Sequence, residues 1–328
     1  MEHLIVFFTT PLLGTATWLW LSFLGIVIAL LVFDLGILHR DQHEIEMRES
    51  LLLYSGYFSV GVLFGLWVWF ELGSQHALEF YTGFLVEQSL SMDNVFVMAM
   101  IFGFFGIPRR YQHRVLFWGI IGVIVLRAIM IGLGTALVKE FEWILYLFGA
   151  FLLFTGVKMM FSREEQHPDL SQNPMLRFLR RHMRVTDELH DGHFFIRRRP
   201  PGAERPLLYA TPLFLALVLI ELADLVFAVD SVPAVFAITQ DPFIVYTSNI
   251  FAILGLRSLY FALAALMHRF VYLKYALALV LIFIGSKIFL HGFIGKIPAL
   301  LSLGVTFGLL AGGVVLSLVK TRSQVNSK

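Results

Sequence analysis

The sequence contains no cysteine and few charged residues. Among its 328 residues, Asp, Glu, Lys and Arg together make up 15%, against roughly 25% in ordinary soluble domains. Without cysteine the chain cannot form disulfides, attach haem through thioethers, or hold thiolate zinc and iron–sulfur centres, so any bound metal must take oxygen or imidazole ligands. The shortage of charge argues against a soluble globular enzyme.

Apolar surface is what the sequence has in excess. Hydrophobic residues make up 58% of the chain, 33 residues are Phe, and the mean hydropathy is +0.78. Nine apolar stretches are long enough to cross roughly 30 Å of hydrocarbon: 17–38, 50–72, 77–105, 115–138, 142–161, 207–238, 244–266, 270–291 and 297–319. The predicted fold class is an all-α integral membrane protein with about nine transmembrane helices, in which residues 1–328 form a single transmembrane domain. The N-terminal segment has neither a basic region nor a small-residue cleavage site, so we expect the first span to be retained.

The positive charges lie almost entirely on one side of this nine-span arrangement. In the loops, the termini and the adjoining ends of the predicted spans, 19 Lys and Arg residues fall on one side, and only Lys139 and Lys296 fall on the other. The positive-inside rule places the rich side in the cytoplasm. We therefore expect a multi-pass protein of the bacterial cytoplasmic (inner) membrane, with its N-terminus outside and its C-terminus in the cytoplasm.

One long polar segment, residues 162–206, falls on the cytoplasmic side. It carries nine Arg, seven acidic residues and the histidines His167, His182, His190 and His193. We interpret it as a solvated cytoplasmic loop with a short helix near Pro174 to Met183. A pH or metal sensor built from its histidines is the alternative.

The chain also contains an internal repeat of three spans, with copies at 77–161 and 207–291. Both copies contain an acidic motif, then an Arg, then a Gly-x-Lys motif, in the same order. The equivalent pairs are Glu87 and Asp224, Asp93 and Asp230, Asn94 and Ser231, Arg127 and Arg257, Gly156 and Gly285, and Lys158 and Lys287. Because three is odd, the second copy must enter the membrane from the opposite side, which predicts an inverted-topology repeat (spans 3–5 and 6–8) of the kind found in secondary transporters.

The acidic motifs predict a cation site inside the membrane. A charged side chain near the bilayer centre costs at least ~2.5–3.5 kcal/mol on insertion scales, and clustered acids cannot all stay ionised unless a cation joins them. The predicted donors are all oxygen atoms, from Glu87, Asp93, Asn94, Glu221, Asp224, Asp230 and Ser231. Such donors suit Mn²⁺, Ca²⁺ or Mg²⁺. We predict that Arg127, Lys158, Arg257 and Lys287 balance the charge, with simple ion pairing to the acids as the structural alternative.

Straight helices would not aim all these acids at one ion, because a spacing of six residues turns a side chain about 120° away. Pro233 leaves the carbonyl of Val229 without a partner and so predicts a break beside Asp230. Transporters commonly build cation sites from such discontinuous helices. Met159, like the other methionines in the spans, is interpreted as a packing residue. Asn249 could reach the site or form a hydrogen bond between helices.

At these motifs the sequence resembles the TerC family of integral membrane proteins. The resemblance is carried by SLSMDNVFV at 89–97 and ELADLVFAVDSVPAVFA at 221–237, and it extends to FEWILYLFGAFLLFTGVKM at 141–159, HFFIR at 193–197 and DPFIV at 241–245. It implies manganese efflux, with Glu87, Asp93, Glu221, Asp224 and Asp230 as the metal-handling acids. The resemblance supplies the identity of the metal, since the spacing alone indicates only an oxygen-ligand cation site.

We therefore expect a secondary transporter that exports divalent metal from the cytoplasm, Mn²⁺ first, in exchange for protons. One alternative is a membrane partner protein that loads metal into secreted or membrane metalloenzymes, which would then be its clients. Another is a carrier for small organic cations or amino acids, in which Arg127 and Arg257 hold a carboxylate. No nucleophile motif or phosphate loop is present, so we do not expect an enzyme, and a hydrolase using carboxylate-bound metal is the weakest alternative. We expect no permanently bound cofactor and no nucleic-acid partner; the expected partners are the lipid bilayer and divalent metal ions.

Overall fold

The computed structural model describes residues 11–33, 47–141, 143–161, 174–199, 205–263, 273–294 and 298–325, and most of these are helical. A short hairpin of β1 (Pro11–Leu12) and β2 (Thr15–Ala16) precedes the first helix. The helices up to residue 161 are α1 (Thr17–Phe33), α2 (Met47–Leu72), α3 (Ser74–Phe104), α4 (Arg109–Glu140) and α5 (Ile144–Phe161). Beyond them lie α6 (Pro174–His182), α7 (Pro212–Phe236), α8 (Pro242–Leu254), α9 (Leu256–Leu263), α10 (Leu273–Ile294) and α11 (Ala299–Val325).

The helices are those of an integral membrane protein, which confirms the all-α membrane class. Within the described residues, six segments are long and apolar enough to cross a membrane: 48–72, 109–140, 144–161, 212–236, 242–262 and 299–317. The segments 17–33 and 275–290 are apolar but shorter. Helix α3, which carries Glu79, Glu87 and Asp93, is not among these six segments. Large apolar side chains face outward where lipid would lie, with Phe70 85% and Phe161 79% exposed.

The polar segment predicted between the two repeats has more structure than expected. Helix α6 forms where a short helix was predicted. The prediction missed an antiparallel hairpin of β3 (Phe195–Arg198) and β4 (Leu207–Ala210), and a single 3₁₀ turn at His190–Gly192. The predicted start of the sixth span at residue 207 is therefore wrong, because residues 207–210 form β4 and the helix begins at Pro212. Residues 162–173 and 200–204 of this segment lie outside the described residues.

The predicted break at Pro233 is wrong. Helix α7 runs without interruption from Pro212 to Phe236 with Pro233 inside it. Because the proline lies in the last turn, only a short piece of helix follows it, and the chain leaves the helix at Ala237, whose N–H bonds to the Pro233 carbonyl at 3.0 Å. Membrane helices tolerate proline at such positions. The interruption falls instead in the seventh predicted span, at Gly255 between α8 and α9.

Helices α5 and α10 form the tightest helix pair of the bundle, and glycines make it possible. A Cβ at Gly156 would lie 2.8 Å from the Ala278 carbonyl oxygen, and a Cβ at Gly285 would lie 2.8 Å from the Gly149 carbonyl oxygen. Gly149, in the first part of α5, faces Ile288 in the last part of α10. Gly156, later in α5, faces Ala278, which is earlier in α10. The two helices are therefore antiparallel.

Helices α3 and α7, which carry the acidic motifs, lie at the centre of the bundle. Helix α3 packs against α2, α7, α8 and α11, and α4 packs against α7 and α8. Every residue of α8 from Pro242 to Leu254 except Tyr246 is buried. Aromatic rings of α1, α2, α3 and α8 fill one side of the core, as in the contact of Phe64 with Phe251, whose ring centroids are 4.5 Å apart.

Candidate metal-handling site

A buried arginine joins the two acidic motifs. Arg127 on α4 is 1% exposed and lies between Glu87 of α3 and Asp224 of α7, whose side chains are 1% and 2% exposed. Two carboxylates in such a low-dielectric position need a cation beside them, and here a guanidinium fills that role.

Five oxygen atoms surround this guanidinium. Its Nε and Nη2 donate to the two oxygens of Asp224 at 3.2 and 3.1 Å, in the paired geometry that favours arginine over lysine. Its Nη1 donates to Glu87 Oε1 at 2.6 Å, Ser231 Oγ at 2.7 Å and Asn249 Oδ1 at 2.6 Å. We call these five atoms of Glu87, Asp224, Ser231 and Asn249 the oxygen cage.

The contacts of the cage agree with the predicted repeat. Asn94 donates its amide hydrogen to Asp224 Oδ1 at 3.1 Å. The repeat equivalents of these two residues are Ser231 and Glu87, which share Nη1 of Arg127. Thus Asp224 of the second motif lies beside Asn94 of the first, and Glu87 of the first motif lies beside Ser231 of the second.

A cavity of about 80 Å³ adjoins the cage. Three buried oxygens of residues that line it have no hydrogen-bond partner among the described residues: Glu87 Oε2, Ser91 Oγ and Asn94 Oδ1. The other lining residues are Leu90, Arg127, Thr155, Met159, Phe227, Ser231, Leu277 and Leu281. Buried oxygens without partners carry a desolvation penalty that water or a cation in the cavity would offset.

Glu221 was predicted as a donor together with Asp224, but it does not belong to the cage. Its carboxylate lies against α4 at Gly119 and Gly122, and a Cβ at Gly122 would collide with it. Neither Glu221 oxygen has a hydrogen-bond partner in the described part of the chain, although both are buried. It is a second, separate carboxylate one helical turn before Asp224.

The remaining predicted residues divide into two groups. Asp93 and Asp230 lie within α3 and α7, but their side chains lie outside the described part of the structure. Of the other predicted cations, Arg257 is buried in α9 at 4% exposure, Lys158 is exposed on α5, and Lys287 Nζ is 3.5 Å from Ser302 Oγ. Arg127 is thus the predicted cation that pairs with Glu87 and Asp224. Within the described residues, no group of three or more His, Asp or Glu side chains is placed to hold a metal ion.

Sequence reasoning missed the role of Ser91. It occupies a position in α3 between Glu87 and Asn94, on a motif already singled out, but only the structure reveals that it lines the cavity and that its hydroxyl has no partner among the residues described. Asn249 Oδ1 accepts a hydrogen bond from Arg127 on another helix, so its contact is an interhelical hydrogen bond and also part of the cage. Met159 lines the cavity and also packs against the core cluster around Leu152, so its interpretation as a packing residue holds in part.

The histidines of the polar segment lie apart from the cage. His190 Nε2 is 3.3 Å from Glu188 Oε2 and also contacts Thr186 Oγ1 at 3.3 Å. His182 and His193 contact backbone carbonyls of their own segment. His167 lies outside the described residues, so these contacts concern the other three histidines only.

Comparisons with known proteins agree with the motifs. The model of the integral membrane protein TerC family matches residues 72–325. An uncharacterized membrane protein of Rickettsia bellii is 48% identical over 301 residues, covering 92% of this chain and 97% of its own, and one of Myxococcus xanthus is 45% identical over 315 residues, covering 96% of each. A protein of Escherichia coli K12 named "Putative membrane-bound redox modulator Alx" is 47% identical over 301 residues, covering 89% of this chain and 91% of its own. No solved structure matches the chain. A family match over most of the chain, joined by relatives of nearly equal length, shows that this chain belongs to the TerC family of integral membrane proteins.

Proposed function

We propose that this chain is a secondary transporter, not an enzyme, and that it exports divalent metal cations from the cytoplasm, Mn²⁺ first among them. One observation carries the proposal: Glu87 and Asp224, an acid from each predicted repeat, meet in one buried oxygen cage. The adjoining cavity is lined by residues whose buried oxygens lack partners within the described structure. Hard divalent cations bind such oxygens. Asp93, Asp230 and Glu221 complete the proposed path as further carboxylates on the same two helices.

The proposal includes nine crossings and an inverted repeat of spans 3–5 and 6–8. It is supported by the glycine contacts of α5 and α10, because a single offset of 129 residues relates Gly156 to Gly285 and Gly149 to Ala278. If each residue is replaced by its equivalent in the other repeat, the contact of Gly156 with Ala278 becomes the contact of Gly285 with Gly149. In the proposed repeat α3 is equivalent to α7, and α4 is equivalent to α8. The corresponding pairs α3–α8 and α7–α4 are both closely packed. Antiparallel equivalents packed in this way are what an inverted-topology repeat requires.

The orientation in the bacterial inner membrane follows from the positive-inside rule, with the C-terminus and the polar segment between the repeats in the cytoplasm. The cage supports a hard cation by its oxygen chemistry, and the choice of Mn²⁺ rests on the family resemblance. The printed name of the Alx relatives refers to redox modulation. This chain has no thiol, so a redox role for it would not use cysteine chemistry.

Export in exchange for protons is part of the proposal. The five proposed metal-handling acids Glu87, Asp93, Glu221, Asp224 and Asp230 and the four predicted balancing cations together have a formal charge of −1. Binding of Mn²⁺ would leave +1 unless another group changed its charge. Protonation of the carboxylates as the metal leaves keeps the site close to neutral in both states.

Purified protein in proteoliposomes tests the transport proposal. We expect Mn²⁺ uptake by the intact chain, and its loss in Asp93→Asn and Asp230→Asn, which keep side-chain size but remove the charge that offsets a divalent ion. His190→Ala and His193→Ala serve as controls and should leave transport largely intact. Collapse of an imposed pH gradient by an ionophore should lower Mn²⁺ accumulation.

The outcomes separate the alternatives. Full Mn²⁺ transport by both Asp variants would exclude the proposed acids. Absence of ion movement by the isolated protein would favour a partner protein that loads metalloenzymes. Thermal stabilisation by amino acids instead of by metal would favour an organic-solute carrier.

A further inference from the structure

We infer that Arg127 is a tethered substitute for the transported cation: its guanidinium occupies the oxygen cage while the carrier is empty and leaves it when metal binds. This inference rests on the proposed function, since it concerns the same acids. It adds a role in the transport cycle that charge balance alone does not require.

The composition of the cage is the first argument. Five oxygens from three helices, two of them forming one carboxylate, lie 2.6–3.2 Å from the guanidinium nitrogens. Three of them converge on Nη1, which has only two N–H groups to donate. The cage therefore offers more acceptors than this nitrogen can satisfy. A hard divalent cation takes about six oxygen ligands and needs no hydrogen for each one.

The adjoining cavity is the second argument. Glu87 Oε2, Ser91 Oγ and Asn94 Oδ1 are buried and have no hydrogen-bond partner in the described part of the chain, while Arg127 holds the other oxygen of Glu87. All three residues line the cavity, so these oxygens would be available to a cation that enters it before Arg127 has moved. Because Glu87 would then be shared between the cation and the guanidinium, binding of the cation weakens the hold on Arg127.

Charge gives the functional consequence. With Arg127 in the cage, Glu87 and Asp224 are left with a formal charge of −1, and a divalent ion in its place would bring the pair to zero. An empty carrier that lacked Arg127 would have to change its orientation with two uncompensated buried carboxylates, which is strongly unfavourable. Arg127 thus permits the return of the empty carrier, and the remaining negative charge is available to a proton.

Two transport modes measured in proteoliposomes at equal pH on both sides test this inference. Net Mn²⁺ uptake requires return of the empty carrier, whereas exchange of radioactive for unlabelled Mn²⁺ does not. We expect Arg127→Gln to retain exchange and to lose net uptake by roughly a hundredfold, and Arg127→Lys to retain part of it. Lys139→Gln removes the same charge from the exposed end of the same helix and should leave both modes unchanged.

A binding measurement keeps the test decisive if Arg127→Gln is unstable. Competition predicts that saturating Mn²⁺ raises the Tm of Arg127→Gln in detergent by more than it raises the Tm of the unaltered protein. The inference is overturned if net uptake by Arg127→Gln equals its exchange, or if the Mn²⁺-induced Tm shift is no larger than that of the unaltered protein. Failure of the unaltered protein to move Mn²⁺ in either mode would instead refute the proposed function itself.

Discussion

At the scale of single residues, Gly122 on α4 has no side chain and so leaves room for the carboxylate of Glu221 in the interface between α4 and α7. Glu221 Oε1 would lie 3.7 Å from a Cβ at Gly119, which is ordinary contact, whereas any Cβ at Gly122 would overlap the carboxylate. Gly122 therefore keeps Glu221 in the helix interface, one turn from Asp224. A buried carboxylate without a hydrogen-bond partner among the described residues is costly to maintain, which is why we connect it with the cation path.

Gly122→Ala should displace the Glu221 carboxylate and lower Mn²⁺ transport roughly tenfold, the scale on which groups that position ligands affect metal sites. The side chain can swing away, so folding should not suffer, and alanine in a helix adds about 0.5–1 kcal/mol of stability. Gly132→Ala on the same helix is the control, since nothing lies within 4 Å of its Cβ position. Transport rates and Tm in detergent measure both effects. Equal transport by the two variants would mean that the position of Glu221 is unimportant.

The residues of the cage show how far sequence reasoning reaches. Glu87, Asp224 and Ser231 could be predicted because charged or polar residues within a membrane span need a reason to be there. The cation that pairs with them could not be predicted. Arg127 and Arg257 occupy equivalent positions in the predicted repeats, and only the packing of the helices distinguishes them. The unpaired hydroxyl of Ser91 was also beyond reach, because a hydrogen-bond deficit depends on every neighbour in space.

At the scale of helices, the contact between α5 and α10 is set by two glycines that face backbone atoms. A Cβ at Gly285 would lie 2.8 Å from the Gly149 carbonyl oxygen and 3.1 Å from the Leu153 nitrogen. A Cβ at Gly156 would meet the Ala278 oxygen and the Ile282 nitrogen at the same two distances. Backbone atoms cannot rotate away as a side chain can, so the helices would have to separate.

Gly156→Ala and Gly285→Ala should therefore destabilise the protein by similar amounts, about 1–3 kcal/mol each as expected for overpacking. Gly304→Ala and Gly308→Ala on α11 are matched controls, because their Cβ positions face open space. Thermal unfolding in detergent should show a lower Tm for the first two variants and little change for the controls. A large effect of only one of the two would contradict the equivalence of the repeats.

Helix positions were predictable to different degrees. Apolar stretches located a helix within each of the nine predicted spans, because hydropathy governs where a chain can lie in lipid. The start of α4 at Arg109, six residues earlier than predicted, could not be read from hydropathy, because its first turn is polar. Pro233 was misjudged because its consequence depends on its distance from the helix end. The β3–β4 hairpin was missed because neither strand has a strong alternating pattern.

At the scale of the whole molecule, the distribution of positive charge and the proposed repeat together predict the membrane topology. The 19-to-2 split of Lys and Arg predicts that the segment between the proposed repeats lies in the cytoplasm. A repeat of three spans then requires that the turn after α3 and the turn after α7 lie on opposite sides. Antiparallel packing of α5 and α10 agrees with this requirement, because these helices are equivalent in the two copies.

The absence of native cysteine makes this topology directly testable. Single cysteines introduced at Gln172, in the segment between the repeats, and at exposed Gln240, in the turn after α7, would react with a membrane-impermeant maleimide from the side that each faces. We expect Gln240→Cys to be labelled in intact cells and Gln172→Cys only after permeabilisation. Gln172 and Gln240 are separated by a single predicted span, so an odd number of crossings must divide them. Labelling of both from outside would require an even number, and the inverted repeat would then be wrong even if the oxygen cage is correct.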